Sequence, residues 1–224
     1  MSEVKVDTIS ERTAAGGVTI DGVLIKDNVL KIPGGSPGAD KGLTSDASGN
    51  ATWEDAAVGG KILQVLQSVK TDTATTTVAG GTWADIAGTD QAAAGAIWCV
   101  KITPSATTSK ILCMFTVTYG AGSSTNRRIN LRLLRDSATP VLGDAASSRI
   151  PVTTGGLTTA SEGLVNGGFI YLDLPSSTAE LTYKVQWDIY ASGNTVYLNR
   201  AYTDTDSDEF SRGTSQITVM EIGA

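Results

Sequence analysis

Apolar and polar residues alternate along much of the chain beyond Lys61, and this period of two restricts the possible folds more than any other feature. In residues 183–189 the odd-numbered positions are apolar and the even-numbered positions are polar. A strand with one buried face has this pattern, so Val185, Trp187 and Ile189 are predicted to lie in a core. The same alternation in residues 128–133 separates an inward set, Ile129, Leu131 and Leu133, from an outward set, Arg128, Asn130 and Arg132.

Turn residues divide this part of the chain into about nine predicted strands. The first, residues 61–69, is either a strand or part of a short helix that begins near Glu54, although the glycines at 59 and 60 argue against one continuous helix. The others are residues 83–86, 97–103, 111–119, 127–135, 168–174, 181–190, 195–202 and 216–222. No amphipathic helical repeat of useful length is present. The pattern therefore predicts an all-β fold, an antiparallel β-sandwich or jelly roll, for residues 61–224.

Residues 1–60 differ from the rest because their apolar residues occur in short pairs between glycine-rich turns. The pairs are Val4 and Val6, Val18 and Ile20, Val23 and Ile25, and Leu30 and Ile32. A segment with so few large apolar side chains cannot close a core within one chain. Either it is disordered, or its strands bury their apolar residues against other copies. The alternation favours self-association, for which three-fold intertwining is a common solution, and places these valines and isoleucines at a subunit interface.

The two cysteines, Cys99 and Cys113, lie opposite each other if residues 97–115 form a hairpin around residues 104–109. A disulfide is then geometrically conceivable. In a protein made in a cytoplasm, free buried thiols are favoured over a bond.

Composition excludes several classes of function. The 224 residues include no histidine and only two cysteines, which excludes Ser-His-Asp catalysis, Cys-His catalysis and a four-ligand zinc site of the usual kind. The net charge of −6 disfavours a nucleic-acid partner. No apolar run approaches the roughly 20 residues of a membrane span, and the N-terminus lacks a signal-peptide pattern. We therefore expect no cofactor, no membrane insertion and synthesis in a cytoplasm.

Three stretches resemble structural proteins of tailed bacteriophages. Residues 4–28, VKVDTISERTAAGGVTIDGVLIKDN, resemble the N-terminal region of phage tail-fibre and virion-fibre proteins. Residues 42–53, GLTSDASGNATW, resemble a segment that recurs in phage fibres and in trimeric surface adhesins. Residues 101–112 and 212–222 resemble the C-terminal β-domain of marine phage fibre proteins.

This resemblance implies a homotrimeric virion protein whose residues 1–60 form a stem attached to other virion proteins of the tail or capsid. Residues 61–224 then form a head that binds a host-surface glycan or protein. This head is similar in strand number and order to the trimeric tumour-necrosis-factor-like jelly rolls. Trp53 is expected at the trimer interface, just beyond a turn in which Asp46 accepts local backbone hydrogen bonds. A tail fibre, a head fibre and a capsid decoration protein without receptor binding remain alternatives.

Tyrosines near the ends of the last strands are candidates for receptor binding. An apolar ring face beside hydrogen-bonding groups is typical of sugar recognition. The candidates are Tyr190, Tyr197 and Tyr202 with the neighbouring Asn194 and Asn199.

Two charged clusters each have two interpretations. Arg128 and Arg132 either bind anionic sugars or pair with acidic residues across a subunit interface. Asp204, Asp206 and Asp208 alternate as at the start of a calcium loop, but the glycine and glutamate of the EF-hand pattern are missing. A solvated acidic loop is therefore favoured over a calcium site.

Catalysis is not expected. A glycosidase needs two carboxylates at a fixed separation, and the available residues, Glu162, Asp173, Glu180 and Asp188, show no spacing that singles out a pair. Asp173 and Asp188 lie in separate predicted strands that can face each other. A polysaccharide depolymerase is the least favoured alternative.

Overall fold

The computed structural model describes residues 38–39, 41–48, 51–55, 60–78, 80–88, 97–121, 127–158, 163–189 and 194–223. The chain divides into an N-terminal unit, Met1–Ala57, and a C-terminal unit, Val58–Ala224. This division lies close to the boundary predicted after Gly60. All regular secondary structure in the described ranges is β-strand, and they hold no helix of the length and hydropathy of a membrane span.

The described residues form thirteen strands. They are β1 (Lys41–Ser45), β2 (Ala51–Asp55), β3 (Ile62–Lys70), β4 (Ala74–Val78), β5 (Ala84–Asp85), β6 (Cys99–Ile102), β7 (Lys110–Ala121), β8 (Arg127–Arg135), β9 (Thr154–Thr158), β10 (Val165–Asp173), β11 (Leu181–Ile189), β12 (Asn194–Leu198) and β13 (Ser215–Ile222).

Within the N-terminal unit, β1 and β2 form an antiparallel hairpin in which Leu43 lies opposite Trp53. The Ser48 amide donates a 2.8 Å hydrogen bond to the Asp46 carboxylate, which is the local turn bond that the sequence predicts. The hairpin leaves Leu43 exposed and Trp53 half-buried. A two-stranded hairpin alone is marginally stable in water.

The C-terminal unit is an antiparallel β-sandwich, as predicted. The first sheet contains β10, β7, β13 and β3 in that order, with β12 and β4 continuing from the far end of β7. The second sheet contains β9, β8 and β11, with β5 and β6 both paired to the free side of β11. The first and last strands of the unit, β3 and β13, are neighbours, and successive strands pass between the sheets, as in a jelly roll.

The core lies between the two sheets and follows the predicted alternation. Val185, Trp187 and Ile189 of β11 are at most 1% exposed, and the inward residues of β8 are fully buried. The segment predicted as residues 61–69 forms strand β3, Ile62–Lys70, which settles the choice between strand and helix. Two strands of the C-terminal unit, β4 and β9, were not among the predicted ones because they are short and rich in threonine and glycine, without apolar alternation.

The predicted hairpin of residues 97–115 is wrong. β6 pairs with β11 of the second sheet, whereas β7 lies in the first sheet between β10 and β13. The connection therefore crosses from one sheet to the other. Cys99 pairs with Lys184 and Cys113 with Val219 and Tyr171, and both cysteines are buried and form no disulfide. Burial and the nearby Asp173 raise the pKa of the Cys113 thiol to about 12.

One predicted outward position is also wrong. Asn130 is only 5% exposed, and the directly opposite Asp188 is fully buried. The Asn130 amide donates a 3.0 Å hydrogen bond to the Asp188 carboxylate, which also accepts one from the Gly81 amide at 2.9 Å. The chain around Gly81 thus covers a polar position that alternation alone assigns to solvent.

Candidate functional site

A cluster of aromatic and cationic side chains lies where β12 ends and the following loop begins; we call Tyr197, Arg200 and Tyr202 the tyrosine–arginine cluster. The two tyrosine rings meet edge to face with centroids 5.7 Å apart. The Arg200 guanidinium lies 4.4 Å from the centre of the Tyr197 ring, in cation–π geometry. Tyr202 is 42% exposed, so the cluster presents an aromatic surface to solvent. The structure thus brings together two of the predicted receptor-binding tyrosines.

The next part of the loop folds back beside this cluster through an ion pair. The Arg212 guanidinium donates hydrogen bonds of 3.1 and 2.8 Å to the two carboxylate oxygens of Asp204. Arg200 lies 3.8 Å from the same carboxylate. The hydrogen bond from Arg212 holds the pKa of Asp204 below its ordinary value, and Arg200 contributes in the same direction. The sequence did not single out Arg200 or Arg212, because their role depends on this loop geometry.

An open cavity of about 410 Å³ adjoins the ion pair. Its lining combines carboxylates, hydroxyls, one guanidinium and one aromatic ring: Asp204, Thr205, Asp206, Ser207, Phe210 and Arg212. Polar groups that converge around an aromatic wall suit a hydroxylated ligand. A monosaccharide or a short polar peptide segment fits this chemistry.

The acidic alternation in this loop does not form a metal cluster in the structure. Asp204 is engaged by Arg212, and no group of three or more His, Cys, Asp or Glu residues placed to hold a metal occurs in the described ranges. Asp206 and Asp208 are exposed.

Asn199 is not available to a receptor, which corrects its prediction as a surface residue. It is fully buried with a positive φ of 58°, a conformation that asparagine tolerates better than most residues. Its amide nitrogen donates 2.9 Å hydrogen bonds to the carbonyls of Lys70 and Asp72, and its amide oxygen accepts a 2.7 Å bond from Ser215. Asn199 therefore ties the end of β12 to the end of β3 and the start of β13.

The two candidate arginines of β8 differ. Arg128 is exposed. Arg132 is half-buried; its guanidinium donates to the Gln186 side chain at 2.9 and 2.5 Å and lies 4.4 Å from the centre of the Trp83 ring. Arg132 thus holds Trp83, which precedes β5, against the outward side of the second sheet.

Several predicted site residues lie outside what the structure describes. They are Tyr190, the side chain of Asn194, and Val4, Val6, Val18, Ile20, Val23 and Ile25. Their receptor-binding and interface roles stay predictions. Trp53 is described, and its indole nitrogen is buried without a hydrogen-bond partner.

The buried carboxylates of Asp173 and Glu221 hold the sandwich together, and sequence reasoning missed both roles. Asp173 accepts two 2.7 Å hydrogen bonds from Arg135 and one from the Tyr183 hydroxyl, so it links the first sheet to the second. Burial is the main cause that raises the pKa of Tyr183, and its bond to Asp173 adds to it. Asp188 is held by different partners, the Asn130 side chain and the Gly81 amide.

Glu221 of β13 is the second such carboxylate, and it anchors the connection between β6 and β7. It is 1% exposed and accepts hydrogen bonds of 2.6–2.7 Å from the Ser105 amide and hydroxyl, the Ser109 hydroxyl and the Gln64 side chain. Burial acts to raise its pKa, but these bonds outweigh burial and bring it down to about 2.

The outward side of the first sheet is apolar at one end. One row crosses four strands through directly paired residues: Val65 opposite Met220, Met220 opposite Leu112, and Leu112 opposite Leu172. On either side of it lie two further pairs, Ile62 with Ile222 and Ile170 with Met114. We call these eight residues the outer apolar face. Four of them are strongly exposed: Ile62 at 59%, Val65 at 52%, Ile170 at 65% and Leu172 at 44%.

Comparison with known proteins gives a distant structural likeness. No protein-family model and no curated protein sequence matches this chain. The chain is similar to a solved structure titled "Structure of infectious bursal disease virus Gx strain", with a TM-score of 0.37 and 10% sequence identity. The match covers 82% of this chain and 42% of that one.

Proposed function

We propose that this chain is a non-enzymatic structural subunit of a bacteriophage virion, a homotrimeric fibre that mediates attachment to the host surface. The three sequence stretches that resemble phage fibres support the virion assignment. In this proposal the N-terminal unit binds other virion proteins and forms the stem, and the sandwich is the head.

The observation that carries the attachment role is the tyrosine–arginine cluster beside the polar cavity. Exposed Tyr202 offers a flat apolar ring, and the Asp204–Arg212 pair offers charged acceptors and donors a few residues away. Sugars are bound by this combination, because their C–H faces stack on rings while their hydroxyls need hydrogen-bond partners. We infer that the ligand is a bacterial surface polysaccharide.

Binding of the labelled full-length chain to an array of bacterial capsular and lipopolysaccharide glycans tests this role. Tyr202→Ala and Arg212→Ala are expected to lower binding at least about tenfold, because each removes a direct contact in the proposed site. Leu142→Ala is the control, since Leu142 is comparably exposed at 40% but belongs to another loop. Equal binding by all three variants would exclude this surface, and release of new reducing ends would contradict a non-enzymatic protein.

A capsid decoration protein without receptor binding is the second candidate. The outer apolar face favours this candidate, because exposed apolar faces are typical of contacts between proteins. Binding to purified capsids, without binding to host cells or their glycans, identifies this alternative.

A further inference from the structure

The outer apolar face is unusual because part of β7, which lies between β10 and β13, is apolar on both sides. Residues 111–115 of β7, ILCMF, contain no polar residue. The odd-numbered members, including Ile111 and Phe115, lie in the core, and the even-numbered Leu112 and Met114 point the other way. Strands with continuous apolar runs are those covered on both faces in the folded protein. The outward side of the second sheet, by contrast, carries polar groups such as Arg132 and Gln186.

The exposed area is large enough to be an interface. Three further apolar residues, on β3 and just after β10, are also exposed: Leu63, Val69 and Leu174 at 47, 52 and 63%. At roughly 100 Å² for each fully exposed side chain, the face and these flanks present on the order of 500 Å² of apolar surface. A standard interface takes about 800 Å² from each partner, of which about 450 Å² is apolar. The patch therefore supplies what one partner of a stable complex needs.

We propose that other copies of this chain cover the outer apolar face, so that the head unit itself contributes to the oligomer. None of the eight residues is charged, and the exposed Lys110, paired with Ile222, lies at the margin of the face, where a bound copy can leave it in solvent. Interfaces of obligate homo-oligomers are more apolar than those of transient complexes. The inference rests on the proposed homotrimer, which holds copies of the head at high local concentration.

Thiol labelling of the full-length chain, combined with sedimentation, tests the inference. Ile170→Cys places a reporter on the face, and Ile150→Cys is the matched control, because Ile150 is 38% exposed in a loop away from it. The native Cys99 and Cys113 are buried and give little background. We expect an oligomer in which a polyethylene-glycol maleimide modifies position 170 at least about 30-fold more slowly than position 150, as for the centre of an interface.

A disruptive variant separates the head contact from contacts made elsewhere in the chain. Ile170→Glu is exposed within one subunit and is expected to leave the far-ultraviolet circular dichroism unchanged. It is expected to raise the dissociation constant of the oligomer at least about 30-fold. If other segments keep the copies together, the double variant Ile170→Glu/Val65→Cys is instead expected to react rapidly with the maleimide at position 65. Ile150→Glu is expected to do neither.

Three results would overturn the inference. The first is a chain that sediments as a monomer, whether position 170 is then open or is covered by the chain's own residues. The second is an oligomer in which position 170 labels as fast as position 150. The third is an Ile170→Glu variant in which neither association nor labelling changes. The second result is expected if a different virion protein, rather than another copy of this chain, covers the outer apolar face. None of these readouts involves glycan binding, so a failed array experiment leaves this inference standing.

Discussion

The carboxylate of Glu221 is the most informative single group to remove from the fold. One of its oxygens accepts three hydrogen bonds from Ser105 and Ser109, and the other accepts one from Gln64. In Glu221→Gln an amide oxygen replaces one of these oxygens and an amide nitrogen the other. At least one donor then faces another donor inside a buried site.

The magnitude follows from the pKa of Glu221, which falls from 4.5 to about 2 on folding. A difference of one pKa unit between the folded and unfolded states corresponds to about 1.4 kcal/mol, so the ionised group contributes about 3 kcal/mol to the free energy of unfolding. Because folding lowers this pKa, the contribution is fully present above the unfolded value of about 4.5. It is lost as the pH falls through about 2.

Urea unfolding at pH 7 and pH 3, followed by tryptophan fluorescence, measures this contribution. Glu221→Gln is expected to lose about 2–3 kcal/mol at pH 7 and less than half of that at pH 3, because the unfolded-state carboxylate is then largely protonated and must release its proton on folding. Glu209→Gln, at an exposed position, is the control and is expected to change stability by less than about 0.5 kcal/mol. A loss of equal size at both pH values, or no loss at pH 7, would refute the ionised-anchor account.

Three further perturbations test the described contacts. Asn199→Ala is expected to cost about 2–4 kcal/mol in urea unfolding because it removes three buried hydrogen bonds at a positive φ, and Asn199→Gly, which keeps the φ accessible, is expected to cost less. Gly156→Ala is expected to cost about 1–3 kcal/mol, since its Cβ would lie 2.5 Å from the Tyr119 hydroxyl, whereas Gly143→Ala meets its nearest atom at 3.5 Å and is expected to unfold like wild type. The native Cys113 is expected to resist maleimide at pH 8 until the chain is unfolded, because burial raises its pKa to about 12; rapid labelling of the folded chain would contradict that burial.

The sequence by itself determined the all-β class, most of the strands of the sandwich and their inward faces. Alternation is a local property of each strand, so Val185, Trp187 and Ile189 could be assigned to the core without knowing which strands they meet. The turn in which Asp46 accepts the Ser48 amide is equally local.

Only the tertiary structure decided which strands pair and which polar residues are buried. β6 and β7 adjoin in sequence yet lie in different sheets, because the connection that Glu221 anchors crosses the sandwich. Asn130 and Asn199 read as surface residues, but their partners come from segments far away in the chain. Long-range pairing depends on which segments cover each face, and no local pattern encodes that choice.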